Sequence, residues 1–273
     1  MALKAVAPAM RVVLITGASS GMGKACADRL AVSGWRVFGG ARHALEQDGG
    51  VEGVAMDVDD EVSVQKAIDV VIAKAGKLDA VINCAGFALW GAVEDATIED
   101  AKAVFETNYF GVLRVCRAAL PALRANGGHI VNISGLAGVV ALPFAAHYSA
   151  SKFAVEGLSE SLRLEARPFG VKVALVEPGY TLTSLKDNRR MATASRNGVY
   201  ALAFDKFLQK NDEMHAMGIM PGAVAALIES ILNDPDPKIR YTVGRFRQRL
   251  IPLLKRLLPQ SMFESVLRRA IGV

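Results

Sequence analysis

Cysteine and histidine are scarce in this chain, which has three cysteines and four histidines among its 273 residues. Cys26, Cys84 and Cys116 lie far apart, and none belongs to a C-x-x-C pair or to a cysteine and histidine pattern with the spacing of zinc ligands. We therefore expect neither a disulfide framework nor a metal site. The first apolar segment, MRVVLITGASSG, runs into a glycine loop without a secretory cleavage site, so the sequence predicts a cytoplasmic protein.

An uninterrupted apolar run of membrane-spanning length is also missing. Residues 125–151 carry no formal charge, but Asn132, Ser134, Pro143 and His147 interrupt the apolar pattern. We therefore expect no membrane-spanning helix.

Acidic residues are nearly missing from the C-terminal end, where residues 238–273 have nine lysines or arginines and one acid, Glu264. A basic segment attracts phosphates, anionic lipid or nucleic acid, but the chain has no nucleic-acid-binding motif, so we expect no nucleic acid partner. Within this basic C-terminal extension, residues 261–271 have the pattern of an amphipathic helix. Packing over the protein's own domain is the favoured interpretation, and peripheral contact with an anionic membrane is the alternative.

The rest of the chain alternates between short apolar runs and helical patterns, which is typical of proteins with a parallel sheet. The predicted strands are 11–16, 35–40, 53–58, 79–83, 129–134 and 171–177. The predicted helices are 21–33, one between Asp59 and Gly76, 100–125, and one that begins near His147. The sequence therefore predicts a single α/β domain over residues 1–273, a doubly wound Rossmann-type parallel sheet with helices on both faces. Ligand groups are expected at the carboxyl ends of its strands.

Three glycines, Gly17, Gly21 and Gly23, lie between the first predicted strand and the first predicted helix. Glycine permits positive φ and lets backbone amides approach a pyrophosphate, whose negative charge the helix N-terminus attracts. This spacing predicts a dinucleotide site, and a purely structural turn is the alternative.

Tyr148 and Lys152 are four positions apart in YSASK, so a helix places both on one face. An isolated tyrosine has a pKa of about 10, and bringing that pKa near 7 requires about 4 kcal/mol of differential stabilisation. A neighbouring ammonium and an oxidised nicotinamide favour the phenolate. Tyr148 is therefore predicted to exchange a proton with a substrate oxygen, and an ordinary surface pair of tyrosine over a lysine stem is the alternative.

Six motifs, taken in order, resemble the short-chain dehydrogenase/reductase family. They are TGASSGMG, NCAG at 83–86, Asn108, Ser134, YSASK at 148–152 and EPGYTLT at 177–183, and the resemblance covers about residues 11–185. It implies a catalytic set of Asn108, Ser134, Tyr148 and Lys152. It also implies a cofactor-binding set of Gly17, Ser19, Ser20, Gly21, Met22, Gly23, Arg42, Asp57, Val58, Asn83, Ala85, Gly86, Tyr148, Lys152, Pro178, Gly179, Thr181 and Thr183. Family members commonly form homodimers or homotetramers, so a homo-oligomer is expected.

The resemblance also implies a role for each catalytic residue beside the tyrosine. Ser134 would hold the substrate oxygen, Lys152 would hold the nicotinamide ribose hydroxyls, and Asn108 would support a proton-relay water. The alternatives are a strand-end hydrogen bond for Ser134 and a helix kink bonded to the backbone for Asn108. Asp57 matches the acid near the adenine, with a helix N-terminal residue as its alternative.

The chain departs from the family pattern at two positions. Cys84 stands where a second asparagine is usual, and Gly135 stands where a second serine is frequent. We interpret Cys84 as a small apolar residue rather than a nucleophile. The second strand ends without an acid and is followed by Arg42, which favours NADP(H) over NAD(H) because an arginine pairs with a 2′-phosphate. A solvated loop charge is the alternative for Arg42.

Residues 186–220 have many apolar side chains, and in the family this region covers the substrate. The large ones in and around it are Met191, Tyr200, Leu202, Phe204, Phe207, Leu208, Met214, Met217 and Met220. They favour a hydrophobic substrate, and core packing of a helix is the alternative. The predicted function is an NADP(H)-dependent oxidoreductase that interconverts a hydrophobic ketone or aldehyde and its alcohol. The alternatives are a catalytically idle NADP(H)-binding sensor or scaffold, and an epimerase or dehydratase.

Overall fold

A computed structural model describes residues 10–43, 49–183 and 189–271 of the chain. The strands are β1 Val12–Thr16, β2 Arg36–Ala41, β3 Val51–Ala55, β4 Ala80–Asn83, β5 Leu89–Trp90, β6 His129–Ile133, β7 Lys172–Pro178, β8 Arg190–Met191 and β9 Arg240–Val243. Seven of them form one parallel sheet in the order β3-β2-β1-β4-β6-β7-β9. Strands β5 and β8 form a separate two-stranded parallel pair. The predicted doubly wound fold is confirmed.

Helices cover both faces of this sheet. The helices in the described part of the chain are α1 Gly21–Val32, α2 Glu61–Ala75, α3 Ile98–Phe105, α4 Gly111–Asn126, α5 Ala146–Ala166, α6 Ala201–Ala216, α7 Pro221–Asn233, α8 Phe246–Arg249, α9 Ile251–Leu257 and α10 Gln260–Ile271. Alternate residues of each strand enter different cores: Val12 and Leu14 pack with α2, α4 and α5, whereas Val13 and Ile15 pack with α1 and α7. Burial on both faces explains why the strands are continuous apolar runs.

The predicted helix 100–125 is interrupted. It consists of α3, a π-helical turn at Glu106–Phe110, and α4. A capping box between Thr97 and Asp100 begins α3. The π turn inserts an extra residue into the helix and carries Asn108, which is fully buried.

Strand β9 was not predicted, because residues 240–243 were placed in the basic extension. It pairs with β7, so the start of that extension completes the sheet. Farther along, α10 buries Phe263 and Ile271 and packs near α6, as the packing interpretation expects. Among the described residues no helix is long and apolar enough to cross a membrane.

Candidate active site

The glycine loop between β1 and α1 is shaped by two close approaches. A Cβ added to Gly17, whose φ is +67°, would lie 3.0 Å from the Ala85 backbone. A Cβ on Gly23 would lie 2.2 Å from the Gly17 carbonyl oxygen. Side chains therefore cannot enter this turn without moving the backbone. The Ser20 side chain makes no capping bond at the start of α1, which leaves the first amides of the helix directed at the loop.

This loop forms one wall of a cleft of about 650 Å³ at the carboxyl ends of β1, β2 and β4. Twelve of the predicted cofactor residues line it: Gly17, Ser19, Ser20, Gly21, Met22, Gly23, Arg42, Asp57, Val58, Ala85, Gly86 and Thr183. The sequence missed eight others: Gly40, Ala41, Met56, Asp59, Cys84, Phe87, Thr107 and Arg190. An exposed guanidinium, a helix N-terminus and a glycine cradle suit a dinucleotide, so the residues present fit the predicted cofactor.

Several signals could have identified the missed residues. Met56, Asp59 and Thr107 adjoin predicted site residues, and Phe87 directly follows NCAG. Arg190 gave no local signal, because only the fold brings it over the ring of Phe87, with 4.3 Å from the guanidinium carbon to the ring centroid.

A second cavity, of about 50 Å³, adjoins the first, since Met22 and Thr183 line both. It brings together Ser134 and Tyr148, two members of the predicted catalytic set. The full lining is Met22, Ser134, Gly135, Tyr148, Pro178, Gly179, Thr181, Thr183 and His215. The predicted residues Pro178, Gly179 and Thr181 therefore lie on the catalytic side rather than in the larger cleft.

Two residues of the predicted cofactor set line neither cavity. Asn83 is buried in β4, where its amide nitrogen donates to Asn132 Oδ1 at 2.8 Å. Lys152 is only 6% exposed, and its Nζ donates to the carbonyl oxygen of Ile133 at 2.8 Å. The lysine still lies against the cleft wall, because a Cβ on Gly86 would be 3.7 Å from Nζ.

Burial governs the ionisation of the tyrosine and lysine pair in the cofactor-free protein. It lowers the pKa of Lys152 to about 8, although interactions with Cys84 and Glu156 raise that pKa in part. Burial raises the pKa of Tyr148 to about 12. Tyr148 is thus a neutral phenol at neutral pH, the form that donates a proton. The predicted fall of its pKa toward 7 concerns the protein with an oxidised nicotinamide and stays a prediction.

Asn108 holds the loop that follows β4. Its amide nitrogen donates to the Phe87 carbonyl and to Ser151 Oγ, both at 3.0 Å, and its Oδ1 accepts from the Phe87 amide at 3.0 Å. These bonds, together with the π turn, match the structural alternative of a helix kink tied to the backbone. The proton-relay role of Asn108 stays a prediction.

The two departures from the family pattern have local explanations. Gly135 has φ of +142°, a conformation in which a serine would be strained. Cys84 is partly buried, packs against the core beside α1 and also lines the larger cleft. Neither position removes a group from the predicted catalytic set.

An apolar cluster lies beside Tyr148. Its buried members are Ala88, Trp90, Ala145, Phe204, Phe207 and Leu208, with Leu142, Phe144, Tyr148 and Met191 packed against them. The Trp90 ring is 6.4 Å from that of Tyr148 and 5.2 Å from that of Phe207, centroid to centroid. Part of the predicted substrate-covering set therefore packs next to the tyrosine, whereas Leu202, Met217 and Met220 are exposed.

Comparison with known proteins decides the family. A family model described as short chain dehydrogenase matches residues 11–194, more than half of the chain. The chain belongs to the short-chain dehydrogenase/reductase family. It is therefore an oxidoreductase by family, and the six motifs found in the sequence fall within the matched residues.

Related proteins match along nearly the whole of this short-chain dehydrogenase. A 3-ketodihydrosphingosine reductase of Bacteroides thetaiotaomicron is 40% identical, over 94% of this chain and 97% of that protein. A short chain dehydrogenase from Burkholderia cenocepacia, solved in complex with NADP, has a TM-score of 0.75 at 27% identity and covers 94% of this chain and 97% of its own. A short chain dehydrogenase/reductase from Burkholderia phymatum, solved in complex with NAD, has a TM-score of 0.76 at 26% identity and covers 94% of this chain and 95% of its own.

Proposed function

We propose that this protein is an NADP(H)-dependent reductase that interconverts a hydrophobic ketone or aldehyde and its alcohol. The observation that carries the proposal is the shared boundary of two cavities. Ser134 and Tyr148 line the smaller cavity, which meets the dinucleotide-sized cleft at Met22 and Thr183. A substrate oxygen held by the two hydroxyls would therefore lie at the end of the cleft.

The side chains around that oxygen have separate roles. Tyr148 exchanges the proton, and its neutral form at neutral pH suits reduction, in which the carbonyl oxygen gains a proton. Ser134 positions the same oxygen. Lys152 supplies positive charge behind the tyrosine, and Asn108 fixes the Phe87 loop that borders the cleft. A nicotinamide held in the cleft would supply or accept the hydride.

NADP(H) is favoured because the end of β2 has a base and no acid. Arg42 follows β2 directly, is exposed and lines the cleft, so it is available to a 2′-phosphate. Asp57 and Asp59 also line the cleft, but they follow β3 rather than β2. The two solved relatives carry NADP in one case and NAD in the other, which supports a nicotinamide cofactor without choosing between the two.

We propose a long-chain lipid ketone as the substrate class. The apolar cluster packed against Tyr148 makes the surroundings of the proton donor apolar, which suits a substrate with an alkyl chain. The Bacteroides relative, which is named for reduction of a sphingoid ketone, matches along 94% of this chain. A homo-oligomeric, cytoplasmic protein is part of the same proposal by family resemblance.

Replacement of Arg42 tests the cofactor preference. Arg42→Ala should raise the KM for NADPH about tenfold while the KM for NADH changes less than twofold, because an exposed charge-assisted contact to a phosphate contributes about 1.4 kcal/mol. Arg190→Ala is the matched control, since this second guanidinium lines the same cleft from β8. An NADH preference in the wild type, or an equal effect of both variants on the NADPH to NADH ratio, would contradict the proposal.

A substrate panel separates the enzyme from a catalytically idle sensor on the same fold. The wild type should oxidise NADPH with long-chain 3-keto lipids and do so more efficiently than with short ketones of the same reactivity. Measurable NADPH binding without oxidation across aldehydes and ketones would instead support the sensor.

A further inference from the structure

Helix α5 carries a further polar residue, which is buried, on the face of the catalytic pair. Tyr148, Lys152 and Glu156 follow one another at spacings of four, so they line one side of the helix. Glu156 is 5% exposed, and the proposed reaction gives it no role. A buried carboxyl one turn beyond the lysine needs a physical explanation.

One guanidinium holds this carboxyl from strand β9. Arg240 Nε lies 2.9 Å from Glu156 Oε2 and 3.4 Å from Glu177 Oε1. The same arginine reaches Glu160 Oε1 through Nη2 at 2.7 Å. Glu177 is 1% exposed and also accepts from Thr242 at 2.7 Å. Two buried carboxyls and one exposed carboxyl thus share one arginine, which does not balance their charge when all are ionised.

The other oxygen of Glu156 lies close to the catalytic serine. Both groups lie against Gly138, since a Cβ there would be 2.2 Å from Ser134 Oγ and 3.2 Å from Glu156 Cγ. Ser134 Oγ and Glu156 Oε1 are both buried, and neither makes a hydrogen bond of ordinary geometry with any residue that the structure describes. Buried polar atoms left without partners are uncommon, and here two complementary ones adjoin.

The protonation of Glu156 has identifiable causes. Burial raises the pKa of the Glu156 carboxyl, Ser134 and Arg240 lower it, and the charge of Glu177 raises it. The charged and titratable groups that face it are Lys152 and Glu160 from its own helix, Glu177 from β7 and Arg240 from β9.

We propose that Glu156, held by Arg240, is a positioning residue that hydrogen-bonds the Ser134 hydroxyl and sets the direction in which that hydroxyl donates. As an acid, Glu156 donates to Ser134 Oγ, and the serine hydrogen is directed to a substrate carbonyl oxygen. As a carboxylate, Glu156 accepts the serine hydrogen, and Ser134 Oγ is left to accept from a substrate alcohol. The first state favours reduction and the second favours oxidation. The effect on substrate reduction and oxidation rests on the proposed function, whereas the hydrogen bond between Glu156 and Ser134 does not.

The first test measures the contact without any substrate. In a double-mutant cycle of Ser134→Ala and Glu156→Leu, chemical unfolding of the cofactor-free protein should show coupling of about fivefold or more in the unfolding equilibrium constant. The matched cycle pairs Ser134→Ala with Glu160→Leu, because Glu160 also contacts Arg240 but lies one turn farther along α5 and is exposed. Coupling in the first cycle and additivity in the second are expected. Additivity in both would overturn the proposal whatever the enzyme's substrate.

The second test measures the pH profile of ketone reduction. Wild-type kcat/KM should fall as pH rises through the titration of Glu156, whose pKa burial raises above that of a free carboxyl. Glu156→Gln should abolish this fall, because the amide N–H donates to Ser134 at every pH, while the Kd for NADPH stays within twofold. Glu156→Leu should lower kcat about tenfold, as expected for loss of one hydrogen bond to the serine. A Glu156→Gln profile identical to those of the wild type and Glu160→Gln would overturn the proposal.

Discussion

Replacement of Lys152 by methionine should make the cofactor-free protein more stable at neutral pH while abolishing its turnover. Lys152 is 6% exposed, and its burial lowers the pKa of the ammonium from 10.5 to about 8. At 1.36 kcal/mol per pKa unit, the folded state disfavours the charged lysine by about 3 kcal/mol at pH 7. Loss of the hydrogen bond to the Ile133 carbonyl offsets about 1 kcal/mol of that gain, which leaves a net stabilisation of about 2 kcal/mol.

The pH dependence of this difference has a definite sign. Below pH 8 both folded and unfolded wild type carry the proton on Lys152, so the unfavourable burial of charge is fully present. As pH rises from about 8 toward 10, the folded state releases the proton and the unfolded state keeps it, so wild-type stability increases. The advantage of Lys152→Met should therefore shrink over this interval.

Urea unfolding of the cofactor-free proteins at pH 7 and pH 9.5 measures this directly. Lys66→Met is the control, because Lys66 is exposed on α2 and its replacement should shift stability equally at both pH values. A Lys152→Met variant that is less stable than the wild type at pH 7, or whose difference from the wild type does not change with pH, would refute the reasoning.

Three further predictions concern the loop, the serine turn and the C-terminal surface. Gly23→Ala should destabilise the protein by about 1–3 kcal/mol and weaken NADPH binding, because its Cβ meets the Gly17 carbonyl. Gly157→Ala is the control and should not destabilise the protein, because the space around Gly157 is open. Urea unfolding measures the stability, and a binding titration measures the affinity for NADPH. Gly135→Ser, which restores the residue frequent in the family, should lower the thermal midpoint because φ there is +142°, and an unchanged midpoint would contradict this. Anionic vesicles should not bind the protein in a flotation assay, because α10 packs on its own domain through Phe263 and Ile271. Binding that salt and Leu257→Glu weaken, and that Leu164→Glu leaves unchanged, would instead support the membrane alternative; Leu257 is 68% exposed and Leu164 on α5 is 73% exposed.

Local sequence patterns predicted the main-sheet strands and the helices over them that precede residue 180, because each lies in a regular apolar environment. The third strand, predicted at 53–58, lies at Val51–Ala55, and the two-residue β5 was not predicted. The five-residue strand β1 ends at a glycine turn, and α2 begins at the cap Asp60 and ends at the left-handed Gly76. The cap lies one residue beyond the predicted Asp59, since both aspartates suit the position. The π turn at Asn108 has no such pattern, because its extra residue is stabilised by the distant Phe87 backbone.

Long-range contacts explain what the sequence did not reveal. Strand β9 is only four residues long, and its one charged residue, Arg240, contacts the buried carboxyls of Glu156 and Glu177, which are distant in sequence. Arg190 reaches the cofactor cleft through the pairing of β8 with β5. The motif residues were identifiable from the sequence for two reasons. Residues four apart on α5 lie on one face of the helix, and residues that follow parallel strands meet at the same edge of the sheet.

The role of Tyr148 as the proton donor is the claim on which the account depends most, and the turnover of Tyr148→Phe tests it most directly. Removal of one hydroxyl from a half-buried ring should leave the Kd for NADPH within a few-fold of the wild type. Turnover of a long-chain ketone should fall by about a hundredfold or more, the usual contribution of a general acid. Turnover within a few-fold of the wild type would contradict the account.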